Sequence, residues 1–281
     1  TKNEIKSIYK LFITSQYMKT AYNLLWLGLT LRDKKKADEK FITPIPEKTI
    51  ENIINIASQN PNSDILLWVD SIRLTEEQAQ WFKETITKSG ISNVKIKDLR
   101  EIPEYAADAF YKKSEENKEW RIDKHSLIWR QVDAAKVLIS LQGDYDQYFY
   151  SDTDVTNLKI DSEEIQTKIR ESGIVLGGGK FSSGFPWYEN QLFGFSKDRI
   201  NRFRLLYQKT ISDVKLETRN GYQTFVDFIN NELIKKDGIE TRNSVFEVRH
   251  DGTFAEHKQE LKKFEGSELL SGETQIKRTI R

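Results

Sequence analysis

The chain has 281 residues, of which 37% are hydrophobic, and this is enough apolar surface for one sizeable domain with an appended helical part. Its 44 basic and 43 acidic side chains nearly cancel, and the net charge of +1 argues against nucleic acid or an anionic membrane as a partner. The sequence contains no cysteine, which excludes disulfides, thiolate metal sites and cysteine nucleophiles.

The first hundred residues predict strands that alternate with helices. Residues 1–22 have the pattern of a helix, and the apolar run 22–27, which Gly28 ends, has the length of a buried strand. The pattern then predicts a helix over 46–59, a strand over 65–69, a helix over 75–89 and a strand over 94–96. Apolar strands between amphipathic helices are typical of a parallel α/β sheet, which binds ligands beyond the carboxyl ends of its strands.

The rest of the chain continues this alternation with a larger share of helix. The predicted elements are helices over 101–128 and 126–141, a strand over 148–150, a helix over 163–171, strands over 174–176 and 192–195, helices over 197–210 and 221–233, and a strand with a loop over 245–254. We predict three parts: a helical segment over 1–22, a catalytic domain over 23–254, and a charged, helical tail over 255–281.

Two aspartates, Asp152 and Asp154, directly follow the predicted strand 148–150. Their spacing places both carboxylates on one side if the strand continues, or in one loop if the chain turns. A pair of carboxylates at the end of a strand is a hard-oxygen site for Mg²⁺ or Mn²⁺, and such an ion stabilises a departing diphosphate as a Lewis acid. The alternative interpretation is an ordinary polar turn.

Four segments, in this order, resemble motifs of the glucosyltransferase domain of large clostridial toxins and of related yeast-type mannosyltransferase-like enzymes. They are Leu24-Leu-Trp-Leu-Gly28, Leu67-Trp-Val-Asp-Ser71, Val132-Asp-Ala-Ala-Lys136 and Tyr150-x-Asp-x-Asp154. The resemblance covers residues 22–155. It implies a GT-A-like fold, in which helices flank a mostly parallel, mixed central sheet and additional helices are present.

The same resemblance implies an activity: transfer of a hexose, with retention of configuration, from a nucleotide sugar to an acceptor hydroxyl in the presence of Mn²⁺ or Mg²⁺. A UDP-sugar is the favoured donor and a GDP-sugar is possible. The acceptor it implies is a host protein, and the chain would then be part of a secreted bacterial effector or toxin that acts in a host cytosol. The longest apolar runs, such as 24–29, are far shorter than the roughly 20 residues of a transmembrane helix, and no signal peptide is visible.

The resemblance also implies a role for each candidate residue. Trp26 would stack on the nucleotide base, although a core tryptophan is an equally common use of this residue. Asp133 would bind hydroxyls of the donor sugar or ribose. Tyr150 would donate its hydroxyl to a phosphate or ribose, Asp154 would ligate the metal directly, and Asp152 would contact the metal through water or hold the ribose.

One departure from the family concerns Lys136, which stands where the family has an arginine. Lysine keeps the positive charge but lacks the planar fork that holds a sugar or phosphate at two points. Arg130, one turn before Asp133 on the predicted helix, is a candidate to compensate.

Further candidates lie in the second half of the chain. The segment 182–190 is interpreted as a small-residue loop that positions donor sugar and acceptor, with Asn190 as the first candidate there and Glu189 as the second. The glycines at 177–179 match neither the P-loop nor the dinucleotide pattern, so a flexible loop is favoured over a phosphate cradle. His250 or Asp251 would complete the metal shell, and a surface turn is the equal alternative.

Two other functions stay open at this stage. Asp152-Thr-Asp-Val-Thr156 also fits the motif of haloacid-dehalogenase-type phosphatases, in which the first aspartate is a nucleophile. The paired aspartates which that family needs later in the chain are not found after Thr156. The second alternative is a GT-A-like scaffold that binds a partner and has lost its chemistry, which the lysine at 136 makes conceivable.

Overall fold

The structure is a computed structural model, and it describes residues 18–27, 45–71, 76–106, 132, 135–153, 155, 158–180, 186–213 and 245–247. Seven strands lie in this part of the chain: β1 Thr20–Trp26, β2 Ser63–Val69, β3 Val94–Asp98, β4 Gln147–Ser151, β5 Ile174–Lys180, β6 Pro186–Ser196 and β7 Val245–Glu247. The helices are α1 Glu47–Gln59, α2 Glu76–Lys88, a 3₁₀ helix Leu99–Glu101, α3 Pro103–Ala106, α4 Glu163–Ser172 and α5 Lys197–Asp213, with helical backbone also at 132 and 135–139.

The strands form one mixed sheet in the order β3-β2-β1-β4-β6-β5-β7. Strands β1 to β4 pair in parallel, and β7 is parallel to β5. Strand β6 is antiparallel to both β4 and β5. This confirms the predicted α/β fold class, with a mostly parallel but mixed central sheet flanked by helices.

Each face of the sheet carries its own hydrophobic core. On one face, α1, α2 and α4 pack against the strands through Ile53, Phe82, Ile165 and similar residues. On the other face, the helical residues 135–139 and α5 cover the sheet. Strand β1 lies between β2 and β4 and contributes to both cores, because successive side chains of a strand point to opposite faces.

The ends of the helices follow local chemistry. Helix α1 begins after Pro46, whose backbone is extended, and it has Glu47 at its positive end. Ser162 caps the start of helix α4, because its hydroxyl accepts a hydrogen bond from the backbone N–H of Ile165. Gly173 caps the other end, and its φ of 73° suits a residue without a Cβ.

Three predictions about elements are wrong. Residues 20–22 belong to β1 rather than to the helix predicted over 1–22, because the central position between two strands draws them into the sheet. The glycines 177–179 form part of β5 rather than a flexible loop, since their backbones pair with 187–189 of β6. Strand β6 begins at Pro186, so the predicted loop 182–190 is strand from that residue onward.

Several other predictions lie outside the described residues. They include the helix over residues 1–17, most of the helices predicted over 101–128 and 126–141, the helix over 221–233, and everything after residue 247. The division into segments 1–22, 23–254 and 255–281 therefore stays a prediction. In the part of the chain that the structure describes, no helix is long and apolar enough to span a bilayer.

Candidate active site

The carboxyl ends of four parallel strands meet at one edge of the sheet, where such folds bind ligands. Trp26 is the last residue of β1 and is level with Val69 of β2, so Asp70 follows at the same edge. Tyr150 of β4 is level with Asn23 of β1, and Asp152 comes two residues later. The strand order β2-β1-β4 therefore places Trp26 between Asp70 and Asp152 along this edge.

The carboxylate of Asp152 is held by two donors on the same oxygen. The Tyr150 hydroxyl donates to Asp152 Oδ1 at 2.6 Å, and the Lys136 ammonium lies 2.8 Å from that oxygen. The two side chains of the ion pair are only 8% and 16% exposed, so little water screens their charges. Charge-assisted bonds of this length are among the stronger ones in proteins and fix the orientation of the carboxylate.

Lys136 reaches this position from the helical residues 135–139, which pack on the sheet through Val137, Leu138 and their neighbours. The residue is buried, and its ammonium lies 5.3 Å from the centre of the Tyr150 ring. A cation over an aromatic face is stabilised by the ring quadrupole. The ring and the carboxylate together therefore compensate a charge that would otherwise be costly to bury.

The Tyr150 side chain is itself held by its surroundings. It is almost fully buried in a central strand, and its ring stacks on Phe193 of β6 at a centroid distance of 5.2 Å. The two residues are register partners across the β4–β6 pair. Packing thus limits the ring to one orientation, and this orientation points the hydroxyl at Asp152.

The backbone that carries Asp152 forms a turn anchored to α1. The Val155 N–H donates to the Asp152 carbonyl at 3.1 Å, which closes the turn. The buried Asn52 amide donates to the carbonyls of Thr153 and Val155 at 2.7 and 3.0 Å. Farther along, Asn60 donates to the Leu158 carbonyl at 2.9 Å. Two asparagines of one helix region therefore fix the loop that contains the predicted metal motif.

Trp26 lies at the same edge of the sheet but packs on the other face. Its ring is half-buried against the core that α1, α2 and α4 cover, whereas Tyr150 and Lys136 contact Asp152 from the opposite side. Among the described residues, its buried Nε1 has no hydrogen-bond partner. A ligand that contacts both Trp26 and Asp152 must therefore extend over the edge of the sheet.

A second charged cluster lies beside Trp26, at the ends of β2 and β3. The Asp70 carboxylate accepts hydrogen bonds from Arg100 Nε at 2.8 Å, from Arg100 Nη2 at 3.0 Å and from the Tyr105 hydroxyl at 3.0 Å. The Asp70 side chain has no exposed surface. The sequence analysis included Asp70 in the segment Leu67-Trp-Val-Asp-Ser71 but gave it no role, and it did not select Arg100 or Tyr105. The available signal was an aspartate directly after a buried strand, Leu67-Trp-Val-Asp70.

The described residues bring together only some of the predicted site. Lys136, Tyr150 and Asp152 are in contact, and Trp26 shares their edge of the sheet. The predicted residues Asp133, Asp154, His250 and Asp251 lie outside the described residues. Asn190 lies within strand β6 instead of the predicted loop, and its side chain is outside the described part.

Of the four residues predicted to bind a metal, only Asp152 lies in the described part of the chain, so only its surroundings can be compared with the needs of a metal ion. No group of three or more His, Cys, Asp or Glu residues that could hold a metal lies within the described ranges. The Asp152 Oδ1 atom already receives Lys136 and Tyr150, so it does not fit a direct bond to a cation while Lys136 stays in place. Its chemistry fits a hydrogen-bond acceptor or a contact with a metal through water.

Comparison with solved structures shows similarity to proteins described as transferases, and three of them illustrate the level of similarity. A protein described as PaToxG glycosyltransferase is 17% identical with a TM-score of 0.45, and the alignment covers 86% of this chain and 80% of that one. A cysteine-to-serine mutant described as a transferase is 13% identical with a TM-score of 0.50, covering 85% and 93%. The bacterial N-acetylglucosamine transferase NleB is 11% identical with a TM-score of 0.44, covering 82% and 92%.

At this level of identity, the similarity to the transferase mutant shows a common fold. Comparison with protein-family models gives no match, and comparison with curated protein sequences gives none either. The assignment of an activity therefore depends on the residues of the site.

Proposed function

We propose that the protein is a metal-dependent glycosyltransferase that moves a hexose from a nucleotide sugar to an acceptor hydroxyl. One observation carries this proposal: two motifs that are separate in sequence, Val132-Asp-Ala-Ala-Lys136 and Tyr150-x-Asp-x-Asp154, meet at a single carboxylate oxygen of Asp152. They meet at the carboxyl edge of a sheet that has a transferase fold. An ordinary polar turn would not require a buried lysine and a buried tyrosine to bind the same carboxylate oxygen.

Each residue has a part in holding the donor. Asp152 holds the ribose hydroxyls or contacts the metal through water, and Tyr150 keeps its carboxylate oriented. Lys136 supplies positive charge to the diphosphate, and Trp26 offers its ring to a uracil or guanine, with a UDP-sugar favoured. Asp133 accepts hydrogen bonds from the sugar hydroxyls, and Asn190 contacts the sugar or the acceptor.

The reaction breaks the bond between the anomeric carbon and the diphosphate oxygen, and the electron pair stays on that oxygen. The acceptor hydroxyl then forms the new bond to the anomeric carbon on the retained face, and its proton passes to the departing diphosphate oxygen. A bound Mn²⁺ or Mg²⁺, held by Asp154 with Asp152 in contact through water and His250 or Asp251 beside it, would neutralise the charge of the diphosphate. Preorganised positive charge of this kind commonly contributes a large part of catalysis.

The acceptor and the setting follow the family resemblance. We propose a host protein as acceptor, and action of a secreted bacterial effector or toxin in the host cytosol. Because a fold alone does not define a substrate, the donor half of the reaction is the part to test first.

The test is hydrolysis of nucleotide sugars in the absence of an acceptor. A panel of UDP- and GDP-sugars is incubated with the protein and Mn²⁺, and release of the nucleoside diphosphate is measured. We expect turnover of at least one donor, loss of turnover with EDTA, and a fall of about a hundredfold or more in the double variant Asp152→Asn, Asp154→Asn. Asp144→Asn is the matched control, because Asp144 pairs with Lys197 at the surface.

Three outcomes would contradict the proposal. Unchanged turnover in the double variant would show that these two aspartates are not needed for the reaction. Cleavage of p-nitrophenyl phosphate without turnover of any nucleotide sugar would point to a phosphatase with Asp152 as nucleophile. Failure to bind UDP or GDP with Mn²⁺ in calorimetry would point to a binding domain without activity.

A further inference from the structure

We propose that Lys136 competes with the divalent cation for Asp152, so that the ligand-free protein binds the cation weakly and a diphosphate relieves this competition. The inference rests on the proposed function, since it concerns the same donor site. It goes further in assigning Lys136 a regulatory role: binding of the anion and of the cation are coupled through one lysine.

The geometry gives the first step of the argument. Lys136 Nζ lies 2.8 Å from Asp152 Oδ1, and the Tyr150 hydroxyl lies 2.6 Å from the same atom. Within the described part of the chain, the oxygen therefore has at least two donors, and one of them is the Lys136 ammonium. A cation that approaches this carboxylate meets an ammonium already in contact with it, in surroundings where the two side chains are 8% and 16% exposed.

The second step concerns charge. Lysine neutralises Asp152 and repels a second cation, so the free site attracts Mn²⁺ less than its carboxylates alone would. A diphosphate carries negative charge that an ammonium can bind. When it takes over Lys136, the Asp152 carboxylate becomes available to the cation. Linkage then requires the cation to strengthen binding of the diphosphate by the same factor.

The residue type gives the third step. The ammonium of lysine is a compact charge on a flexible four-carbon stem with three rotatable donors, so it can turn from a carboxylate to a phosphate. Arginine presents a planar fork that holds a carboxylate at two points and gives it up less readily. The lysine at position 136, which departs from the family motif, thus favours exchange between the two partners.

The experiment measures Mn²⁺ binding to the ligand-free protein by electron paramagnetic resonance of the free ion. We expect Lys136→Gln and Lys136→Met to bind Mn²⁺ about tenfold more tightly than the wild type, because the competing charge is gone. Lys136→Arg keeps the charge, and we expect affinity equal to or below that of the wild type. Lys197→Gln is the matched control, because Lys197 lies 2.6 Å from Asp144 at the surface.

A second measurement adds UDP. We expect UDP to raise the Mn²⁺ affinity of the wild type by a larger factor than that of Lys136→Gln. Circular dichroism identifies a variant that fails to fold, and the two neutral substitutions differ in polarity, so one can replace the other. The inference is overturned if both neutral variants bind Mn²⁺ no more tightly than the wild type.

The outcome can be separated from that of the proposed function. If the neutral variants show no gain while the wild type still hydrolyses a nucleotide sugar, only the competition is wrong. If no variant binds Mn²⁺ and no nucleotide sugar is hydrolysed, both proposals fail.

Discussion

Arg100 holds Asp70 by two parallel hydrogen bonds, from Nε to Oδ1 at 2.8 Å and from Nη2 to Oδ2 at 3.0 Å. Asp70 follows β2 and Arg100 lies in the 3₁₀ helix after β3, so the pair joins the ends of two neighbouring strands. The Tyr105 hydroxyl adds a third donor. The pair therefore fixes the chain after β3 at the same edge of the sheet that carries Trp26 and Asp152.

Substitution of Arg100 by Gln tests the importance of this pair for stability. The Asp70 carboxylate has no exposed surface, so the variant leaves a buried charge without its main counter-ion. We expect the free energy of unfolding to fall by about 3–5 kcal/mol, measured by urea denaturation. Lys48→Gln is the control, since the Lys48–Glu51 pair is half-exposed, and we expect no measurable change there. Equal effects of the two substitutions would contradict this reading of the cluster.

Asn52 is predicted to control the loop that carries the aspartates. Asn52→Ala removes both amide bonds to the carbonyls of Thr153 and Val155. We expect a loss of about 1–3 kcal/mol of stability, because buried acceptors lose their donor, together with weaker binding of the nucleotide sugar. Denaturation and KM for the donor measure the two effects separately.

The control for Asn52 is a second asparagine of the same helix. Asn55 accepts a hydrogen bond from the Gln59 side chain at 3.2 Å, within α1. Asn55→Ala should leave KM unchanged. If Asn52→Ala destabilises the fold without any change in KM, the loop does not depend on this anchor.

The burial of Tyr22 leads us to expect a fall in the free energy of unfolding at alkaline pH. Burial raises its pKa far above the ordinary value of 10.0, although its hydrogen bond with Ser151 acts in the opposite direction. Above pH 10, Tyr22 is ionised in the unfolded chain but stays neutral in the folded chain. The contribution of Tyr22 to the free energy of unfolding is therefore present in full below pH 10 and is lost as the pH rises toward the folded-state pKa.

The variant Tyr22→Phe removes that titration. Between pH 10 and the folded-state pKa, we expect the stability of the wild type to fall more steeply with pH than that of the variant, by up to about 1.4 kcal/mol per pH unit. Urea denaturation at a series of pH values measures both slopes, and the other titrating groups cancel in the difference. Parallel curves would show that Tyr22 ionises equally in both states.

Much of the sheet was predictable because buried parallel strands have continuous apolar runs in the sequence. The runs at Leu24 and Leu67 are both strands, and the interval between them holds the expected helix α1. The prediction of a loop at glycines 177–179 was wrong because glycines have no side chains that could form an apolar run. Pairing with β6 makes these residues part of a strand. Pairing partners distant in sequence leave no local signal.

The candidate site divides in a similar way. Lys136, Tyr150 and Asp152 were selected from motifs, and the structure places them in contact. Asn52 was not selected, because a polar residue on the otherwise apolar face of a helix does not indicate which carbonyl groups it binds in the folded chain. The ion pair between Arg100 and Asp70 could not be predicted either, since it joins residues that follow different strands and depends on the tertiary structure.

Tyr150→Phe tests the link between structure and donor binding most directly. The variant keeps the stacking on Phe193 and the ring beneath the Lys136 ammonium, and it loses only the hydroxyl that bonds Asp152. A hydrogen bond to a charged group is worth about 1.5–3 kcal/mol, so we expect KM for the nucleotide sugar to rise about tenfold or more. The measurement is steady-state hydrolysis of the donor with Mn²⁺.

Tyr148→Phe is the matched control, because it removes a hydroxyl two residues earlier on the same strand. That hydroxyl donates to the Gly143 carbonyl at 3.0 Å and accepts from the Tyr145 N–H at 3.0 Å, away from the carboxyl edge. We expect Tyr148→Phe to lower stability without changing KM. A similar rise of KM in both variants would mean that the effect spreads through the fold, and an unchanged KM in Tyr150→Phe would separate Asp152 from the donor.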